Sequence, residues 1–134
     1  MNTLFINGTD YTPTVNFDPE KGIFEISGES RPENARSFYE PIIKWLEEYS
    51  MVLYWKKNTL NDKSTFKLDF KFQYFNSTSA KYILDIFYAL EKMKAQGYKI
   101  LINWYYEEGD NDIQEAGEEF LGSVDIPYKM IPFK

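Results

Sequence analysis

The chain contains no histidine and no cysteine. Without an imidazole or a thiol there is no Ser-His-Asp triad, no cysteine nucleophile, no histidine base and no Cys/His zinc site. Chemistry is left to carboxylates, lysine, tyrosine and hydroxyls. The lack of cysteine fits a reducing cytosol. Nowhere do about 18 consecutive apolar residues occur, and the first ten residues hold no basic region ahead of an apolar run, so neither a membrane span nor a signal peptide is expected. A clustered basic stripe is missing too: 15 Lys and Arg stand against 21 Asp and Glu, a formal net charge of −6, which argues against nucleic-acid binding. A cytoplasmic protein is expected.

Aromatic residues are abundant instead, with 11 Phe, 11 Tyr and 3 Trp among 134 residues. Rings bury large areas at low entropy cost, which points to a well-packed α/β core, the alternative being a stacking surface for sugars or bases. The length suits one domain over residues 1–134, burying roughly two-thirds of its unfolded surface.

Short apolar runs at residues 4–6, 14–17 and 22–27, separated by Asn7-Gly8 and by a turn around Asp18-Pro19, predict an N-terminal β-meander. Ser30-Arg31-Pro32-Glu33 carries the capping residue, early proline and acidic first turn of a helix start. Phe38, Ile42, Trp45, Leu46 and Tyr49 then mark one helical face. Pro41 interrupts it, so the helix either kinks or restarts there. Residues 56–62 read as a polar loop.

Residues 65–74 form the clearest strand: Phe66, Leu68, Phe70, Phe72 and Tyr74 alternate with polar residues, so one face is buried and the other is polar or covered by an amphipathic helix. Asn76-Ser77-Thr78-Ser79 is a capped turn into a helix carrying Ala80, Ile83, Leu84, Phe87, Leu90 and Met93, which Gly97 closes. The apolar run 98–106 suits an interior parallel strand, completing a βαβ unit with a right-handed crossover. A short third helix over Ile113, Ala116 and Phe120 is capped by Asp110, Asn111 or Asp112 and ended by Gly122; residues 124–133, broken by Pro127 and Pro132, allow at most a short edge strand. The fold class is α/β with a mixed β-sheet and about three helices.

Three features could carry chemistry. At Asn76-Ser77-Thr78-Ser79 the plain reading is capping, by Asn76 or Ser77. The sharper one is a phosphorylation site, since free amide groups and the helix dipole favour a phosphate there. The acidic residues Glu107, Glu108, Asp110, Asp112, Glu115, Glu118 and Glu119 could hold a divalent cation, but they lack a calcium-loop pattern and are expected to form a solvated face, with no metal. Asp69 and Asp85 could support acid–base work in a small carboxylate- or metal-dependent enzyme, the alternative from another class.

Five stretches in order resemble the SiaC family of bacterial regulatory phosphoproteins, relatives in fold of the anti-sigma-factor antagonist (STAS) domains. They are 8–13 (Gly-Thr-Asp-Tyr-Thr-Pro), 28–34 (Gly-Glu-Ser-Arg-Pro-Glu-Asn), 39–46 (Tyr-Glu-Pro-Ile-Ile-Lys-Trp-Leu), 74–81 (Tyr-Phe-Asn-Ser-Thr-Ser-Ala-Lys), and 104–107 with 115–120. The resemblance implies a single STAS-like domain that is not an enzyme, needs no cofactor, and is switched by phosphorylation at the strand-to-helix turn. The family's phosphoacceptor is a Thr, and its position falls on Ser77 here, with Thr78 a competitor one place later. It further implies a protein kinase and a PP2C-like phosphatase as partners. It also implies a diguanylate cyclase bound and activated by the unphosphorylated form, a place in cyclic di-GMP signalling. Asn76, Thr78, Ser79, Lys81 and Tyr82 are the expected exposed partner contacts around the turn, although a lone helix lysine such as Lys81 is more often simply solvated. An interaction module of the same fold that is never phosphorylated is the third possibility.

Overall fold

The computed structural model describes residues 2–56 and 65–134. Its elements follow in chain order: β1 (Leu4–Ile6), β2 (Thr14–Asp18), β3 (Ile23–Ser30), α1 (Ala35–Lys56), β4 (Phe66–Phe75), α2 (Ser77–Ala95), β5 (Ile100–Glu107), α3 (Asn111–Gly122) and β6 (Tyr128–Phe133). The six strands lie in one sheet in that same order. β1, β2 and β3 pair antiparallel, and β3 through β6 pair parallel. The meander and the mixed α/β sheet are as expected. The expected crossover β4-α2-β5 is one of three, because α1 and α3 also join parallel neighbours.

All three helices cover the same sheet face, as the period-two pattern requires. Phe17, Phe24, Phe66, Phe70 and Trp104 point inward and are buried. Trp45 of α1 packs on Phe17 and Phe24, Phe87 of α2 on Phe70 and Trp104, and Phe120 of α3 on Trp104. Much of the aromatic content therefore goes into one continuous core, while other rings, Tyr54 and Trp55 among them, stay exposed. On β4 the opposite face is polar, which answers the question left by its alternation. Asn16, Glu25, Asp69, Asn103 and Lys129 form one cross-strand row, in which the Asn103 amide donates to Asp69 at 2.9 Å.

Three local expectations change, and of the two alternatives at Pro41 the restart is ruled out. Ser30 does not start α1; it ends β3 and is fully buried. The cap is Asn34, whose side chain accepts from the Ser37 amide at 3.1 Å, and the first turn holds no acidic residue. Pro41 lies within one continuous helix. Pro41 and Ser37 are both exposed, so the Ser37 carbonyl that loses its partner faces water, while buried Tyr39, Ile42, Trp45 and Leu46 hold both sides of the gap to the core. Tyr74 is exposed, and Phe75 turns inward onto Phe72, Trp104 and Phe120. The cause is a register shift: Gly28 pairs with Phe72 but Glu29 with Tyr74, so one extra residue reverses the parity of the strand end. Of the expected loop 56–62, Lys56 is the last residue of α1, and the remainder lies outside the described residues. β6 is a six-residue edge strand.

Candidate functional site

The turn between β4 and α2 is fastened before it is capped. Ser30 and Phe75 are paired at the ends of their strands, and the Asn76 amide donates to the Ser30 carbonyl at 3.0 Å. Asn76 is still extended (φ −85°, ψ 171°), and its side-chain oxygen accepts from the Ser79 amide at 2.8 Å. Its carbonyl takes the first helical hydrogen bond, from Ala80. Asn76 is thus the cap, and Ser77, Thr78 and Ser79 are the first three helical residues. The amides of Ser77 and Thr78 precede the helical ladder and point out of the positive end of the helix.

The three hydroxyls then part company. Ser77 and Thr78 are exposed, whereas Ser79 has no exposed surface. Ser79 is therefore corrected as a surface contact: its place in the inward line with Ile83, Ile86, Phe87 and Leu90 puts it in the core. There its hydroxyl donates to the Ser30 carbonyl at 3.1 Å and accepts from the Ser30 hydroxyl at 2.9 Å. Since Ser30 spends its only proton on Ser79, the Tyr39 hydroxyl must be the donor in the 2.5 Å contact between Tyr39 and Ser30. A relay, Tyr39 to Ser30 to Ser79, joins α1, β3 and α2 beneath the exposed pair. Burial pushes the Tyr39 phenol up to about 12, against the opposing effect of its hydroxyl partners.

Ser30 and Tyr39 are the residues that sequence reasoning missed. Both carried a signal: Ser30 continues the inward parity of Phe24 and Ile26, and Tyr39 lies three and seven residues before the buried Ile42 and Leu46. Ser30→Ala would remove the 2.5 Å partner of the buried Tyr39 hydroxyl and the donor to Ser79, and it is expected to lower stability by about 1–3 kcal/mol. Ser77→Ala, at an exposed position, should stay within about 0.5 kcal/mol of wild type. Urea unfolding distinguishes the two, and equal stabilities for Ser30→Ala and wild type would refute the relay.

Around the turn, Asn76 and Tyr82 are half-buried and Lys81 is exposed. The Tyr82 ring lies parallel to Tyr39 with centroids 5.9 Å apart, and the Lys81 ammonium sits 5.0 Å from the Tyr82 ring centre. Arg36, in the first turn of α1, pairs with Glu40 at 2.6 Å. Arg31 stacks over Tyr11 at 4.7 Å and pairs with Glu29 at 3.4 Å.

The competing constellations do not assemble. Asp69 lies on the open sheet face and Asp85 on α2, so the sheet separates them. Asp110 caps α3 by accepting from the Ile113 amide at 3.1 Å. Among the described residues no three carboxylates converge to hold a metal ion. A cavity of about 320 Å³ between the later halves of α1 and α2, lined by Leu46, Ser50, Met51, Met93 and others, has Glu47 as its one carboxylate. No described helix is long and apolar enough to cross a membrane.

The fold is shared with known proteins. The family model for SiaC family regulatory phosphoproteins matches residues 6–133. The structure of SiaC of Pseudomonas aeruginosa superposes with a TM-score of 0.82 at 26% identity, over 99% of this chain and 100% of that one. A chain in the crystal structure of the P. aeruginosa diguanylate cyclase SiaD in complex with its activator SiaC gives a TM-score of 0.82 at 26% identity, over 97% of this chain and 99% of that one. An uncharacterized protein of P. aeruginosa strain UCBPP-PA14 is 27% identical over 128 residues, 96% of this chain and 94% of its own length.

Proposed function

The chain belongs to the SiaC family of regulatory phosphoproteins, and we propose that it is a non-enzymatic switch whose phosphoacceptor is the Ser77 hydroxyl. The observation that carries this reading is the division of labour in the turn. Asn76 caps the helix and Ser79 is locked in the relay, which leaves Ser77 and Thr78 presented to solvent at the positive end of α2. Ser77 holds the position of the family's acceptor, and Thr78 is the second candidate. A phosphoryl group there is favoured by the helix dipole and displaces nothing in the core.

A kinase and a PP2C-like phosphatase set the state of the switch, and the unphosphorylated form binds and activates a diguanylate cyclase of the same cell. The support for the cyclase is the homologue that activates SiaD. Half-buried Asn76 and Tyr82 and exposed Thr78 and Lys81 would form the contact surface around Ser77. A pull-down from the native cell with wild type, Ser77→Ala and Ser77→Asp tests the switch. The cyclase is expected with Ser77→Ala and depleted with Ser77→Asp; identical partner sets for all three proteins would refute it.

A further inference from the structure

The chain has only two arginines, Arg31 and Arg36, and both lie between the end of β3 and the first turn of α1. This is the end of the sheet to which Asn76 is tied through Ser30. Arginine is the side chain best matched to phosphate, because its planar fork donates two parallel hydrogen bonds.

The two arginines face different ways. The Arg31 guanidinium is held over Tyr11 and against Glu29, on the β2 side of the turn. Arg36 faces α2. The starts of α1 and α2 lie side by side, joined by the parallel Tyr39 and Tyr82 rings and by the buried hydroxyl relay. Tyr39, three residues after Arg36 and so on the same side of α1, is the residue that meets Tyr82. Lys81 reaches over the same ring from its own helix. One helical turn separates Lys81 from Ser77, and one turn separates Tyr82 from Thr78, so Arg36 on one helix and Lys81 on the other flank the Tyr39–Tyr82 stack one turn below the acceptor. The present partner of Arg36 is Glu40, in a pair whose side chains are 74% and 58% exposed. Such surface pairs are weakly held.

Resting on the reading that Ser77 is the acceptor, we propose that Arg36 and Lys81 form a cationic fork that closes on the phosphoryl group of phosphorylated Ser77, with Arg36 leaving Glu40 to do so. Phosphorylation then has two effects on the surface. It adds a dianion at the turn, and it removes Arg36 and Lys81 from the groups available to a partner while freeing the Glu40 carboxylate.

Phosphoserine can be placed at position 77 during translation, so the test does not require the kinase, and a failure of the Ser77 assignment in cells leaves the fork open to test. The second ionisation of the phosphate is followed by phosphorus NMR in wild type, in Arg36→Gln/Lys81→Gln and in Arg31→Gln. Arg36 and Lys81 are exposed, and circular dichroism checks that both variants are folded. The phosphate in wild type is expected to titrate about 0.5 pH unit or more below that in Arg36→Gln/Lys81→Gln, with Arg31→Gln like wild type. Equal titration in wild type and the double variant, or a shift lost in Arg31→Gln, would overturn the fork.

Discussion

Trp104→Ala is expected to cost about 3–5 kcal/mol of stability, the range for deleting a large buried ring. Trp104 has no exposed surface and lies against Phe70, Phe72, Phe75, Phe87 and Phe120. Its indole N–H also donates to the Ile113 carbonyl at 3.0 Å, bonding β5 to α3. Truncation would therefore open a cavity at the meeting point of α2, α3 and the sheet and release a buried carbonyl. A domain holds only about 5–15 kcal/mol in total, so such a loss is a large fraction. The same contact can be tested from the other side. A Cβ at Gly117 would lie 2.3 Å from the indole nitrogen, so α3 can close on the ring only with glycine there. Gly117→Ala gains about 1 kcal/mol of helix propensity, but overpacking of about 1–3 kcal/mol or more opposes it, and a net destabilisation is expected in urea unfolding. An unchanged or raised midpoint for Gly117→Ala would show that α3 does not rest on Trp104. The lock matters beyond stability, because Phe75, the last residue of β4 before the turn, packs on both Trp104 and Phe120.

Phosphorylation of Ser77 is expected to weaken cyclase binding by about 100-fold or more, with little change in the fold. The helix remains capped by Asn76, and Ser79 remains in its relay, so the new charge stays on the surface. A phosphoryl group adds about −1.5 to −2 charge, taking the net charge from −6 to about −8. A partner seated over the turn would have to desolvate that dianion at a cost of several kcal/mol, and about 2.7 kcal/mol already corresponds to 100-fold in affinity. Ser77→Asp, with a single charge, should fall between the two states. Calorimetric titration of the cyclase with both forms gives the ratio, and equal affinities would mean that the turn lies outside the interface.

Much of this fold could be read from local pattern. The alternation of Phe66, Leu68, Phe70 and Phe72 gave both the strand and its buried face, and Asn76 announced the start of α2. The errors arose where one pattern imitates another or where a distant partner decides. Ser30 followed by Pro32 and Glu33 resembles a helix cap, yet the pairing of β3 with β4 draws Ser30 into the core. Tyr74 continues the alternation, but an extra residue opposite Glu29 turns Phe75 inward instead, a consequence of register that neither strand shows alone. At the site, Ser77, Thr78 and Ser79 are chemically alike in sequence, and only the helical period separates them: Ser79 falls four residues before Ile83 and joins the inward line. The fork proposed for Arg36 and Lys81 needs the side-by-side starts of two helices, which depends on the sheet order.

Phosphosite mapping by tandem mass spectrometry, on the protein isolated from its own cells with Ser77→Ala alongside, tests the switch most directly. Phosphate on Ser77, lost in Ser77→Ala, is the predicted result; phosphate found only on residues other than Ser77 and Thr78 would contradict it.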